Sequence, residues 1–183
     1  MKPVRREELY DHVTWAERRA AELPGILAAK AARRIHVGEH LTFLFENRET
    51  IRYQVLEMLR VERIVREADV LHELATYNEL LGGPGELGCT LLVEIDDPVL
   101  RAQKLVLWGD LPEHAYVGLE DGTRVRPRTD DRQRTEGRLS SVQYLKFATG
   151  GRVPVTVGCD HPDQEGETRL SSEQRAAFAE DLG

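Results

Sequence analysis

Leu41-Thr42-Phe43-Leu44-Phe45-Glu46-Asn47-Arg48 is the stretch that decides how this chain folds. An apolar, strand-like run ends abruptly in three polar residues. Asn47 is of a type that starts helices, because its side-chain oxygen accepts a backbone N–H of the first turn. The stretch therefore predicts a strand over about 40–46 and a helix over about 48–63. Within that helix, Ile51, Val55, Met58 and Leu59 keep the three-to-four spacing of one buried stripe. Gln54, Glu57, Arg60 and Glu62 share the same segment with this stripe. Polar groups near a core need partners or become costly, so they either form an internal network or line a site.

Towards the N-terminus, Thr14-Trp15-Ala16-Glu17 fits a capping box and opens an alanine-rich helix that ends at Pro24. A second helix runs from Pro24 to Arg34, with Lys30, Arg33 and Arg34 in its last turn, where positive charge suits the dipole. Gly38 marks the turn into the strand.

Towards the C-terminus, Asp69 interrupts or caps the next segment, and Val70, Leu71, Leu74, Ala75 and Leu81 continue a helical pattern. Gly82-Gly83-Pro84-Gly85 stops it. Cys89, Leu91, Val93 and Ile95 then alternate with Thr90, Leu92, Glu94 and Asp96, the period of a strand. A short helix runs from Asp97-Pro98 towards Trp108, and 115–127 reads as a hairpin about Asp121-Gly122. Strands follow over 141–147 and 153–159, while 128–138 reads as a mobile loop and 160–168 as a polar loop. Ser171 and Gln174 cap a last helix.

Helices first and antiparallel-looking strands later predict an α+β fold, with N-terminal helices and a helical pair packed on a mainly antiparallel sheet. The 183 residues read as a single domain: a helical segment over 1–34, a core over 35–159, and a loop with a peripheral helix over 160–183.

Composition narrows the function classes. The hydrophobic content is 40% and the formal net charge −7, with a pI near 5.4. That balance speaks against a general nucleic-acid or anionic-membrane binder. No apolar run approaches the roughly 18 residues of a membrane span, and no secretory h-region follows Met1-Lys2-Pro3, so the expected address is the cytoplasm. Cys89 and Cys159 stand alone, without the Cys-x-x-Cys spacing of zinc or iron–sulfur sites, and read as buried thiols on strands.

His72-Glu73 invites comparison with a zinc-peptidase helix, but Thr76 stands where the second histidine is needed. A different metal set, Glu57, His72 and Glu73, with Glu62 on the same helix as Glu57, would converge if the two helices formed a hairpin; the di-iron pattern of two Glu-x-x-His pairs is not present. The plain alternative pairs Glu57 with Arg60 at helical spacing. Glu46 beside Arg48 reads as a general base or an anchor for an amine, with Arg48 a clamp for a carboxylate or phosphate, or the two read as a salt-bridge latch closing the strand–helix turn. Tyr77 and Asn78 supply a hydroxyl and an amide, for a ligand or for bracing the Glu86 loop. Arg124, Arg126, Arg128, Arg132, Arg134 and Arg138 form a basic tract, but Asp130, Asp131 and Glu136 interrupt it and no aromatic residue alternates for base stacking. Neither a phosphate loop nor a nucleophile elbow occurs.

The segment 32–50 around the opening stretch closely resembles an uncharacterised bacterial family, domain-of-unknown-function family 3501. So do Tyr53-Gln-Val-Leu-Glu-Met-Leu-Arg60, His72-Glu-Leu-Ala-Thr-Tyr-Asn-Glu-Leu80, Pro84-Gly-Glu86 and Leu139-Ser-Ser-Val-Gln-Tyr144. The resemblance covers nearly the whole chain and includes Glu46, Arg48, Gln54, Glu57, Arg60, His72, Tyr77 and Asn78, without a catalytic assignment for any of them. It implies company with rubrerythrin-like and iron–sulfur oxidoreductase proteins. Three readings stay open. The first is a cytoplasmic accessory or binding protein of a redox system, with Arg48, Gln54, Arg60, Tyr77 and Asn78 around a ligand. The second is an iron- or zinc-dependent enzyme using Glu46, Arg48, Glu57 and His72. The third is a structural module or homo-oligomer surface.

Overall fold

A computed structural model describes residues 1–129, 134–135 and 137–183. After a single 3-10 turn at Arg6–Glu8, the elements are α1 (His12–Ala31), β1 (Arg34–Val37), β2 (Leu41–Glu46), α2 (Arg48–Val61) and α3 (Glu67–Asn78). Next come β3 (Glu86–Val93), α4 (Pro98–Leu107), α5 (Leu111–His114), β4 (Ala115–Gly118) and β5 (Arg124–Val125). Then follow β6 (Arg128–Thr129), β7 (Arg134–Thr135), β8 (Arg138–Leu139), β9 (Val142–Ala148), β10 (Thr156–His161), β11 (Gln164–Arg169) and α6 (Ser172–Leu182). The fold is α+β, as expected. One antiparallel sheet has the order β1-β2-β3-β9-β6, a second β11-β10-β4-β5, and β7 and β8 form a separate short ribbon.

Two hydrophobic cores flank the first sheet. Phe43 and Phe45 of β2, Cys89 and Leu91 of β3, Phe147 of β9 and Val157 of β10 meet in the core shared by the two sheets. On the helical side, Trp15 and Ile26 of α1 pack with Ile51, Val55, Leu56 and Leu59 of α2 and with Val70 and Leu74 of α3. Strand alternation sends Phe45 into the first core and turns its neighbour Glu46 towards the helices. Register fixes what lies beside it: Leu44 faces Thr90, which faces Tyr144, while Glu46 faces Gly88, which faces Lys146. At Gly88 the backbone of Leu80 and Gly82 crosses so closely that a Cβ would collide with it.

Several elements differ from the sequence expectation. The N-terminal helix is not divided at Pro24; α1 is one 20-residue helix with Pro24 inside it and Asp11, not Thr14, as N-cap. Pro24 and Gly25 are exposed, so water can serve the carbonyl that Pro24 leaves without a donor, while Trp15 and Ile26 anchor the helix on either side. Arg34 opens strand β1 instead of ending a helix. Residues 164–169, expected within a loop, form edge strand β11, whose alternation is polar throughout and carries no apolar signal. The last helix, read as peripheral, has Phe178 fully buried against Phe45, with ring centroids 4.5 Å apart. Of the expected mobile loop, 130–133 and 136 lie outside the described residues. Among the described residues, no helix is long and apolar enough to cross a membrane.

Candidate functional site

The β2–α2 junction gathers the most unusual chemistry of the helical side. Asn47 caps α2 as its residue type predicted: its side chain accepts from Thr50 N–H at 2.9 Å, and Thr50 Oγ1 accepts from Asn47 N–H at 3.0 Å. The same Thr50 hydroxyl donates to Glu46 at 2.6 Å. Thr90, brought alongside by strand pairing, donates its hydroxyl to the other Glu46 oxygen at 2.8 Å. One turn along α2, the Gln54 amide spans both oxygens at 3.2 and 3.3 Å. Glu46 is thus only 3% exposed and held by two hydroxyls and an amide, with no cation among its hydrogen-bond partners in the described residues. The N-terminal end of α2 lies next in sequence, and its partial positive charge favours an anion there.

Neighbouring Cys89 is fully buried, and burial pushes its thiol well above the usual value, with the Glu46 charge adding to the shift. It stays protonated, which removes the thiolate that redox or metal chemistry requires.

Glu57 lies elsewhere on α2. It accepts from Trp15 Nε1 and Arg19 Nε at 2.8 Å each and from Arg60 Nη2 at 3.0 Å. Burial opposes ionisation, but the Arg60, Arg19 and Trp15 donors outweigh it and bring the carboxyl down to about 2. This is the helical pair with Arg60 that the spacing allowed, enlarged by two donors from α1.

Arg48 does not close a latch with Glu46. Its guanidinium pairs with Glu8 and reaches Pro3 O at 3.4 Å. Asn78 likewise turns away from the Glu86 loop and clamps Val4, accepting its N–H and donating to its carbonyl at 2.9 Å each. Both residues hold the N-terminal segment. Outside that junction, a cleft of about 410 Å³ opens between Asn47, Arg48, Glu49 and Arg52 on one side and Glu180 and Asp181 on the other.

Tyr77 of α3 is half-buried; burial raises its phenol above the usual value, and the charges of Glu73 and Tyr144 add to that. His72 is exposed, and its carbonyl accepts from the Thr76 hydroxyl at 3.0 Å. Among the described residues, no group of three or more His, Cys, Asp or Glu side chains is arranged to hold a metal ion. In the basic tract, Arg124 and Arg126 pair with Asp160 and Arg128 with Glu86, so these charges are largely consumed internally. Arg132 lies outside the described residues.

The sequence candidates therefore separate into distinct groups: Glu46 with Gln54, Glu57 with Arg60, and Arg48 with Asn78 on the N-terminal segment. Thr50 and Thr90, which complete the Glu46 cradle, carry no site motif in the sequence. Their signal was faint: Thr90 joins Glu46 only through the pairing register of β2 with β3.

A crystal structure of a novel protein of unknown function from Burkholderia pseudomallei K96243 is similar over the full length of both chains, with 28% identity and a TM-score of 0.89. Among curated proteins, none matches this sequence. The sequence model of the family described as "Protein of unknown function (DUF3501)" matches residues 3–182, and with all but the ends of the chain covered, the protein belongs to that family.

Proposed function

We propose that this is a binding protein that receives a cationic group, an ammonium or a guanidinium, at Glu46. One observation carries the reading: Glu46 is a buried carboxylate oriented by three neutral donors and, among the described residues, paired with no cation. Other enclosed carboxylates in the chain are treated differently, with Asp181 facing Arg33 and Glu57 facing Arg19 and Arg60. A buried charge without a counter-ion is expensive, whereas a pre-oriented one pays little reorganisation when its cation arrives. The Gln54 amide, half-exposed and the most distant of the three donors, is the group a ligand displaces. Half-exposed Leu44 and exposed Tyr144 flank Thr90 on the same sheet face and border the approach.

The test uses methylammonium and methylguanidinium chloride as probes, titrated into the protein by calorimetry. Binding is expected for the wild type and lost in Glu46→Gln, with the melting temperature of the variant nearly unchanged. No heat from either probe, or a large loss of stability in Glu46→Gln, makes the carboxylate a structural group.

The cation can be carried by a partner's side chain instead of a free ligand. In that form the protein is an accessory of the rubrerythrin-like or iron–sulfur oxidoreductase that the family resemblance implies. Support for this partner is the resemblance alone; absence of association at micromolar concentration removes it.

A further inference from the structure

At the far end of the second sheet, a cluster of histidines and aspartates lies well outside the Glu46 site. Cys159 of β10 pairs with Ala115 of β4, which sets Asp160 and His161 beside His114 at the end of α5. His114 Nδ1 faces Asp160 Oδ1 at 3.2 Å, and Nε2 faces Asp110 Oδ2 at 3.3 Å. The other Asp110 oxygen lies 3.4 Å from His161 Nε2. The His114 and His161 rings meet edge to face, 5.2 Å apart.

Hydrogen-bond accounting separates the two histidines. His161 Nδ1 accepts the backbone N–H of Asp163 at 3.2 Å, so its proton sits on Nε2, directed at Asp110, and the neutral ring is satisfied. Among the described residues, no donor faces either His114 nitrogen; both look at carboxylate oxygens. Those carboxylates cannot supply a proton near neutrality. Asp160 is held down to about 2, first by the Arg126 guanidinium and also by His114. Asp110 lies below its usual range, because backbone and His114 donors outweigh the burial that would raise it. With both oxygens acting as acceptors, the two contacts are both hydrogen bonds only when both His114 nitrogens carry a proton.

We propose that His114 is a proton-dependent latch, which as an imidazolium ties Asp110 to Asp160 and on losing its proton lets go of Asp110, leaving that carboxylate to His161 Nε2 alone. The arginines around it keep their charge between mildly acidic and mildly alkaline conditions. Arg126 grips Asp160 at 2.9 and 2.5 Å and reaches the His114 carbonyl at 2.7 Å, and Arg124 lies 3.3 Å from Asp160. Cys159 is buried and its thiol shifted up, while Tyr116, shifted up by burial and by Glu167, reaches about 12. Asp160 keeps its arginines when His114 is neutral, so the Asp110 side opens. Asp110 follows fully buried Trp108, whose indole donates to Asp163 at 3.2 Å, so the latch acts on the join between α4 and the second sheet.

Long-range proton–nitrogen spectra of the imidazoles, recorded on the full chain from pH 5.5 to 9, test this. His114 is expected to carry protons on both nitrogens at pH 6. Amide exchange over 110–115, corrected for intrinsic rate, is expected to quicken several-fold as His114 loses its proton. Asp110→Asn, at an exposed position, keeps the fold and abolishes that pH-linked change. A neutral His114 at pH 6, or exchange that ignores its titration, overturns the proposal.

Discussion

Arg33 and Asp181, 148 residues apart, meet as a bidentate ion pair sealed from solvent, with Nε–Oδ2 at 2.7 Å and Nη2–Oδ1 at 2.8 Å. Arg33 also donates to Ala29 O at 3.0 Å, so it finishes α1 while gripping α6. Removing one partner leaves the other charged and buried. Arg33→Met or Asp181→Asn alone is expected to cost about 3–5 kcal/mol, and the double variant Arg33→Met/Asp181→Leu much less. Urea unfolding of the three variants checks this; equal losses in singles and double contradict it.

Glu57 gives the acid limb of stability. Its carboxyl falls from an ordinary 4.5 to about 2 on folding, so its contribution is complete above about 4.5 and disappears as the pH drops towards 2. Glu57→Gln should therefore destabilise at pH 7 by about 1–3 kcal/mol and flatten the loss of stability below pH 4.5. Melts from pH 2 to 7 measure both effects. With three donors already engaged, iron or zinc should not raise the melting temperature through this residue.

Asn78 offers a sharper local test. Its amide replaces a backbone partner for Val4, taking one hydrogen bond and giving one. Asn78→Ala is expected to cost about 1–3 kcal/mol. Exchange of the amides of residues 1–9 should accelerate far more than that of β3. Uniform acceleration across the chain contradicts a local clamp.

Gly88 permits the close crossing over the first sheet. A Cβ there would collide with the Leu80 carbonyl and crowd the Gly82 nitrogen, both backbone and unable to rotate away. Gly88→Ala is expected to cost at least about 1–3 kcal/mol by overpacking. Because Gly88 pairs with Glu46 across the strands, the substitution should also weaken probe binding at the cradle. Thermal melts and the methylguanidinium titration read the two consequences.

Much of the architecture was written in local chemistry. Asn47 announced α2, the alternation from Cys89 to Ile95 announced β3, and Ser171 with Gln174 capped α6. The misses have physical causes. Pro24 argued for a break, but buried anchors on either side carried α1 through it. Edge strand β11 is polar along its length and could not be told from a loop by pattern. The site was less legible than the fold. Glu46 stood out by its place at a strand end, yet its cradle depends on Thr90, 44 residues away. Asp110, His114 and Asp160 form no motif; only the pairing of β4 with β10 assembles them.

Thr50 has a single hydroxyl, and it is spoken for twice: it receives the Asn47 amide and gives its proton to Glu46. The start of α2 and the orientation of the carboxylate are consequently one mechanical part. Anything that tugs on Glu46 turns the first coil of the helix, and with it Arg48, whose grip on Glu8 moors the front of the chain. Occupancy in the interior would thus be felt at the surface as a loosening or tightening of that mooring.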